Sequence, residues 1–546
     1  MRALARAPLL LVVAYLVTIA AGLAHHPMWL DEAQAWCVSR DAHSLRELFW
    51  NMRYDGHPSL WYLCLYLVTR FTDNPVAMQI LHGTIAVATV ALIAWRSPFA
   101  RWERWLLAFG YLFAFEFAVI SRGYALGVLL VLAVCHWSSC VEERIWPIAL
   151  ALVGLANTSV YGTILAICLL AALSYDVLVR GRRRQVTFAA AAAIVIAGCA
   201  AAVATMKPPP DFAFAREWHT RITTQRAADT ANLVWAGMAP LPDFSAAAPW
   251  NTSMLPTHRG RPTASTLLAA AAVVMILVIG WTVRKAPIAM NFYLSGTAAL
   301  LLFMYLKYSA GPRHCGHLFL VFIAALWLAR SETSNRLARF LDVVFWSAGA
   351  AQVAVAVFFL AKSWYVPFSW SRDLEAAVRE LAPQGAVVVG DVTLVNYVGP
   401  VLSAYLRHQI DYAGPNSIRR GSFMILDEAH HPEAPPNRVR ATLQRDVAPM
   451  GARYVLLVTS QWRYATDMGP SIGEFRRHLV GVEGVATIRA VRLDDNLRES
   501  RRDEIPPRSV LPELQLATYL KPAMPRVAHP ESSGTIRRLT LGRARS

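Results

Sequence analysis

Two adjacent carboxylates, Asp31 and Glu32, stand in the run Trp29-Leu-Asp-Glu-Ala33, just after an apolar segment. Further along comes Asp55-Gly-His57-Pro-Ser-Leu-Trp61, then Arg122-Gly-Tyr124, Tyr161, Lys307, and Pro312-Arg313-His314 with His317 behind it. A carboxylate at a lipid–water boundary can take the proton of an attacking hydroxyl, and such general-base help is worth about 10²–10⁴-fold. Arg, Lys and His donate to phosphate oxygens. Acid, cations and histidines around one vestibule suit transfer from an anionic lipid donor. If the leaving group is a phosphate with a long apolar tail, the tail stays in the bilayer and the site must sit at its edge.

Plainer roles exist for each residue. Asp31 can cap a short helix running to about Ser39, worth about 1 kcal/mol. Glu32 lies about 100° further round that helix, so the pair does not converge on one atom, and Glu32 suits a metal or acceptor contact. Arg122, Lys307, Arg313 and His314 can anchor headgroups. Tyr124 and Tyr161 can belong to an interfacial belt. His57, between Gly and Pro beside Asp55, suits substrate contact.

The elements that must position these groups are membrane helices. The chain has 546 residues, 55% hydrophobic and 16% charged, which is no soluble balance. Apolar runs of about 17–25 residues recur, enough to cross a bilayer as helix. The net charge of +17 is read as topological arginine and headgroup contact, not as a nucleic-acid surface. The seven cysteines match no zinc spacing and read as mainly buried free thiols.

Arg2 and Arg6 precede the first span, 8–24, so the N-terminus is expected in the cytoplasm and residues 25–71 outside. In that first external loop, Ser44 and Glu47 form a capping box for an amphipathic helix to about Arg53. Residues 58–71 are short for a span. Arg96, Arg101 and Arg104 fall inside only if that segment is half-inserted. Spans then follow at about 75–95, 104–120, 123–140, 145–158, 162–179, 186–206, 264–283, 288–309, 316–329 and 340–361. Arg180 and Arg182 to Arg184 are the strongest anchor, and residues 207–262 form a long external polar loop. About eleven spans make up residues 1–362, with the C-terminus outside.

Residues 363–522 read as a small extramembrane α/β domain. A helix is expected over Ser371 to Leu381, with short strands at 386–389, 423–426 and 454–458. Residues 523–546 read as a disordered tail. Asn251-Thr-Ser253 fits an N-glycosylation pattern and is read as chance.

The order of one helix, Trp-Leu-Asp31-Glu32-Ala, Gly56-His57-Pro-Ser-Leu-Trp-Tyr62 and Arg122-Gly-Tyr124 resembles the GT-C superfamily of membrane glycosyltransferases over about residues 1–330. Within it the chain looks like the protein O-mannosyltransferase, lipid A aminoarabinose transferase and Rgt-like group. The resemblance implies an all-α polytopic membrane fold and an inverting glycosyltransferase. Its donor would be a polyprenyl-phosphate sugar and its acceptor an extracytoplasmic glycan, lipid or protein. Asp31 would be the base. It also implies donor contacts from His57, Arg122, Tyr124, Arg313 and His314, and the arginine-based topology brings Tyr161 and Lys307 to the same outer surface as further candidate contacts. The chain departs from the group at Thr158-Ser-Val-Tyr161, where many relatives carry histidine, and at His57, where some carry lysine.

The location expected is the cytoplasmic (inner) membrane, multi-pass, with site and C-terminal domain extracytoplasmic. No cofactor is required, since a lipid phosphate is already a competent leaving group, although a divalent metal is compatible. Two other readings stand beside this one. A transporter or flippase predicts mid-membrane charges and broken helices. An en bloc oligosaccharyltransferase with a lipid pyrophosphate donor predicts a metal.

Overall fold

In the computed structural model, residues 2–179, 184–212, 218–246, 249–255, 260–307, 311–332, 339–369, 371–381, 387–391, 399–413, 418–425, 445, 454–459, 471–476 and 485–492 are described. Residues 1–493 form one compact unit. The expected tail, 523–546, lies outside the described residues.

The chain opens with α1 (Arg2–Ala24), α2 (Leu30–Arg40), α3 (Leu45–Asn51), α4 (Leu60–Thr69) and α5 (Val76–Arg96). The ten residues of α4 reach about 15 Å at 1.5 Å per residue, half of a hydrocarbon core. That length fits the half-inserted reading of 58–71. Ser44 caps α3 by accepting from Glu47 N at 3.2 Å, while Glu47 accepts from His43 N at 2.8 Å. The apolar side of α3 is split. Leu48 and Met52 are buried in the protein, and Leu45, Phe49 and Trp50 are exposed.

Then come α6 (Arg101–Ala108), α7 (Tyr124–Trp137), α8 (Ile145–Ala156), α9 (Val160–Val179) and α10 (Gln185–Met206). The expected single span at 104–120 is broken. α6 stops after eight residues, and a π-helical turn, Leu112–Glu116, follows the bend at Gly110. The break is stabilised from outside. Gln352 accepts from Leu112 N at 3.2 Å and donates to Gly237 O at 2.9 Å, so freed backbone groups meet a side-chain amide rather than lipid.

Residues 207–262 are not simply a polar loop. They hold α11 (Thr224–Met238), which packs against α12 (Pro262–Thr282) and α14 (Pro312–Glu332). Asn232 donates to Ser265 Oγ at 2.9 Å, and Trp235 Nε1 donates to Leu268 O at 2.9 Å. At Gly237 an added Cβ would lie 2.5 Å from Cys315 O, so only glycine permits this approach. Hydropathy missed α11 because its exposed face is polar.

α13 (Pro287–Leu306) precedes α14, and α15 (Arg339–Tyr365) follows it. Every residue of α14 from His314 to Ala329 is buried, so this helix is the central pillar of the bundle. Among the described residues, eight helices are long and apolar enough to cross a membrane: α1, α5, α9, α10 and α12 to α15. The other three expected spans are shorter or broken. The fold is that of a polytopic helical membrane protein. At the end carrying the expected cytoplasmic arginines, Arg330 pairs with Glu103 at 2.6 Å and Asp342 at 3.3 Å. All seven cysteines are free, and five are buried.

After α16 (Ser371–Leu381), with α17 (Gly399–Leu406) between the first two strands, the described segments build a six-stranded sheet. Its strands are β1 (Val387–Asp391), β2 (Ile410–Ala413), β3 (Ile418–Gly421), β4 (Tyr454–Thr459), β5 (Ser471–Arg476) and β6 (Val485–Arg492), in the order β3-β2-β1-β4-β6-β5. β1 runs parallel to β2 and β4, with Val388 opposite Leu456, and the outer pairs are antiparallel. The strand expected at 423–426 is absent. Residues 423–425 are irregular, because their backbone bonds to a side chain of α2, while Leu426 lies outside the described residues. Amphipathic α16 fits its expected bounds.

Candidate functional site

Asp31 is not the N-cap of α2. Trp29 holds that position, and Asp31 sits in the first turn with its side chain turned toward the chain segment ahead of α7. It pairs with Arg122 Nη1 and has Arg313 Nη1 3.5 Å away. The first turn of a helix also favours a carboxylate through its exposed N–H groups. Burial pushes the Asp31 carboxyl up, but the charges of Arg122 and Arg313 and the Arg122 hydrogen bond outweigh it. The net effect holds Asp31 below the usual carboxylate range. Burial likewise opposes the charge of Arg122, and Asp31 more than restores it.

Glu32 points the other way and is fully buried. It accepts from Trp29 N at 3.0 Å, contacts His26 Nε2 at 2.8 Å, and accepts from Ser121 N at 2.6 Å. The 100° between the neighbours therefore has a use. Asp31 grips the Arg122 side chain while Glu32 grips the backbone one residue earlier. Both carboxylates hold the same segment, and only Asp31 faces open space.

That space is a cavity of about 130 Å³ lined by Asp31, Asp55, His57, Arg122, Tyr124 and other residues introduced below. Gly56 brings Asp55 and His57 to it through a backbone φ of 64°, which a side chain would strain. His57 Nδ1 then donates to Asp55 O at 2.6 Å, and Arg122 Nη2 donates to His57 Nε2 at 2.9 Å. Arg has no acceptor, so this network fixes a neutral His57 with its proton on Nδ1. Burial, followed by the Arg122 charge, pushes the imidazole down to about 4. His57 thus orients Arg122 instead of presenting a charge of its own.

Asp55 takes hydrogen bonds from Gln34 Nε2 at 3.0 Å and Tyr62 OH at 2.8 Å. Burial outweighs these bonds and raises its carboxyl to about 6. Two carboxylates in one cavity are thereby pushed in opposite directions, Asp31 by cations and Asp55 by desolvation.

Arg313 opens α14 and is aimed from behind. Its guanidinium lies 5.1 Å from the Trp29 ring and 5.4 Å from the Trp250 ring. Trp250 Nε1 donates to Glu116 at 2.9 Å, and Tyr111 OH donates to the same carboxylate at 2.7 Å. The π-helical turn therefore serves the site: it carries Glu116, which fixes the tryptophan under Arg313. Asn251 Oδ1 accepts from Arg313 N at 3.2 Å, a structural use for the residue of the glycosylation-like triplet.

Tyr124 and Tyr161 are buried inside the protein. Tyr161 stacks on His317 at 4.6 Å and lies 5.5 Å from His314, and Tyr124 meets His317 edge-on at 5.2 Å. This aromatic cluster adjoins the cavity through Tyr124. Lys307 lies instead with its ammonium 5.1 Å from the Trp218 ring, outside the cavity lining. Among the described residues, no three His, Cys, Asp or Glu side chains converge as metal ligands.

The sequence reading gave Gln34, Glu116 and Met424 no part here, counted Tyr62 only as the end of a motif, and took Trp250 as one of three loop tryptophans suited to packing or to stacking on a sugar. Tyr62 carries a faint signal, a hydroxyl in the first turn of an otherwise apolar helix. Met424 carries none.

No family model and no curated protein matches the chain. Among solved structures it is similar to the crystal structure of ArnT from Cupriavidus metallidurans bound to undecaprenyl phosphate. The TM-score is 0.46 and the identity 14%, over 90% of this chain and 99% of that one.

Proposed function

We propose that this chain is a membrane glycosyltransferase of GT-C type. It moves a sugar from a polyprenyl phosphate to a hydroxyl on an extracytoplasmic glycan, lipid or protein. The observation that carries this reading is the triad Arg122–Asp31–Arg313, two arginines converging on one carboxylate in the first turn of α2. A phosphate placed against those guanidiniums competes with Asp31 for the same donors. As the arginines turn to the phosphate, Asp31 loses the charges that depress it and regains basicity. Donor binding thus arms the base.

In the displacement, the acceptor oxygen bonds to the anomeric carbon and its proton passes to Asp31. The bond from that carbon to the phosphate oxygen breaks, and the electron pair stays on the lipid phosphate beside Arg122 and Arg313. Attack opposite the leaving group inverts the anomeric centre. His57 holds Arg122 in plane, and Glu32 fixes the segment that presents it. The apolar tail of the donor would lie among the membrane helices.

The test is the lipid that co-purifies with the membrane-extracted protein, identified by mass spectrometry, followed by radiolabelled sugar transfer from that lipid in nanodiscs. A polyprenyl phosphate or its glycoside is expected. Transport of the lipid across a liposome membrane with no sugar transfer would replace this reading with the flippase.

Asp55 adds a pH dependence. Its ionised form accepts from Gln34 and Tyr62, and protonation removes one acceptor site from that network. Ionisation is lost as pH falls through about 6, so transfer should decline below that value. A rate profile with an acid limb near pH 6, abolished in Asp55→Asn, is the expected result. His57 stays neutral over this range and should leave the limb in place when replaced by Gln.

A further inference from the structure

One lining residue of the cavity comes from the C-terminal part of the chain, more than 250 residues beyond the rest. Met424, three residues beyond β3, lines the cavity together with Arg122 and Gly123. Its backbone is held by a reciprocal pair with a side chain of α2. Met424 N donates to Gln34 Oε1 at 2.7 Å, and Gln34 Nε2 donates to Met424 O at 3.1 Å. The same Gln34 Nε2 also donates to Asp55 at 3.0 Å. One amide therefore fixes both an acidic cavity residue and the backbone of Met424. The reciprocal pattern also settles the amide orientation, because a flipped Gln34 would lose all three bonds.

The attachment is reinforced on both sides. Ser422 donates its hydroxyl to Asp41, which also takes hydrogen bonds from Gln409 at 3.2 Å and Arg40 at 2.6 Å. Arg40 donates to Ser403 O of α17 at 2.9 Å. A segment whose only task was to leave the sheet would not need this many bonds to α2.

The polar inventory around Met424 is that of a carbohydrate site. Asp55, Gln34 and Tyr62 supply a carboxylate, an amide and a hydroxyl within one hydrogen-bonded chain. Trp61, also in the lining, buries an indole N–H that has no partner among the described residues. Against this, the volume of about 130 Å³ is below the roughly 300–1,000 Å³ of ordinary ligand pockets. Bare phosphate fits such a space. A sugar on that phosphate would contact the lining closely, and Met is a flexible wall.

We propose that Met424 is the specificity-determining wall of the donor-sugar subsite and that Gln34 is the latch that sets its position. This rests on the transfer reading above. The wall meets the carbon face of the sugar, while Asp55 and Trp61 take its hydroxyls. Bulk at position 424 then decides which sugar can sit on the phosphate.

The test is equilibrium binding to the full-length protein in nanodiscs with three probes: undecaprenyl phosphate, undecaprenyl phosphoryl-glucose and undecaprenyl phosphoryl-N-acetylglucosamine. Met424→Trp should leave bare undecaprenyl phosphate within about twofold, and weaken both glycosylated probes by about tenfold or more. Met424→Ala should narrow the difference between the glucose and N-acetylglucosamine probes. Gln34→Ala should behave like Met424→Ala, and Met424→Leu like the wild type. Retained binding of bare lipid phosphate reports that each variant is folded. Equal shifts for all three probes, or no shift in any, would overturn the wall. Failure of all three to bind wild type would remove the transfer reading, and the wall with it.

Discussion

Asp31→Asn is expected to abolish sugar transfer while leaving the lipid bound. The loss should be about 10²–10⁴-fold in turnover, the usual worth of a general base. The substitution is close to isosteric, and Asn still accepts a hydrogen bond from Arg122, so the fold is preserved. Removing the carboxylate also ends its competition for Arg122 and Arg313. Affinity for undecaprenyl phosphate should therefore hold or rise as transfer disappears. That divergence separates a base from a structural acid, whose removal would weaken both together. Turnover within tenfold of wild type, from a variant that unfolds at the wild-type temperature, would take Asp31 out of the mechanism.

Arg122→Gln should produce the converse result. Charge-assisted hydrogen bonds contribute about 1.5–3 kcal/mol each, so undecaprenyl phosphate should bind roughly 10- to 150-fold more weakly. The protein should also lose stability, because Asp31 is left with only Arg313 at 3.5 Å, and breaking a buried pair strands its partner. Asp31→Asn combined with Arg122→Gln should recover much of that stability and none of the binding, a coupling read from a double-mutant cycle. Arg122→Lys should restore little, since one ammonium lacks the fork that reaches Asp31 and His57 together. Affinity within twofold of wild type in Arg122→Gln would assign the phosphate elsewhere.

The two expectations have one physical origin. The carboxylate and the arginines neutralise each other until an anion takes the arginines. A site of this kind need not hold a free base in the membrane interface, where an unpaired charge is costly. The neutral His57 fits the same economy, since it steers Arg122 without adding a third cation beside Arg313.

Much of this was legible from sequence, for reasons that can be named. Helix length and arginine placement are local properties, so α1, α5, α9, α10 and α12 to α15 fall close to their expected bounds, and α16 matches them. Asp31, His57, Arg122 and Arg313 could be singled out because ionisable groups beside apolar helices are rare and costly. The errors have equally definite causes. A hydropathy window cannot distinguish one span at 104–120 from α6 followed by a π-helical turn, because both bury the same apolar residues. The distinction depends on Gln352, more than two hundred residues away, which accepts from Leu112 N at the break and ties it to Gly237 of α11. α11 was hidden because half its surface is polar, and its packing on α14 is fixed by a glycine whose necessity appears only when Cys315 O lies against it.

The sequence by itself determined the membrane fold, the carboxylate pair after the first helix and the cations available to it. Those depend on residue type and on distance along the chain. Tertiary structure alone decided which carboxylate faces the cavity. Asp31 and Glu32 are neighbours of the same chemistry, and the difference arises from where the Ser121–Arg122 segment lies against α2. It also decided that His57 is neutral, since its tautomer follows from Arg122 and the Asp55 carbonyl. Last, it brought Met424 from beyond the sheet to line the site, through a hydrogen-bonded pair with Gln34 spanning 390 residues of chain, a separation at which no local pattern carries information.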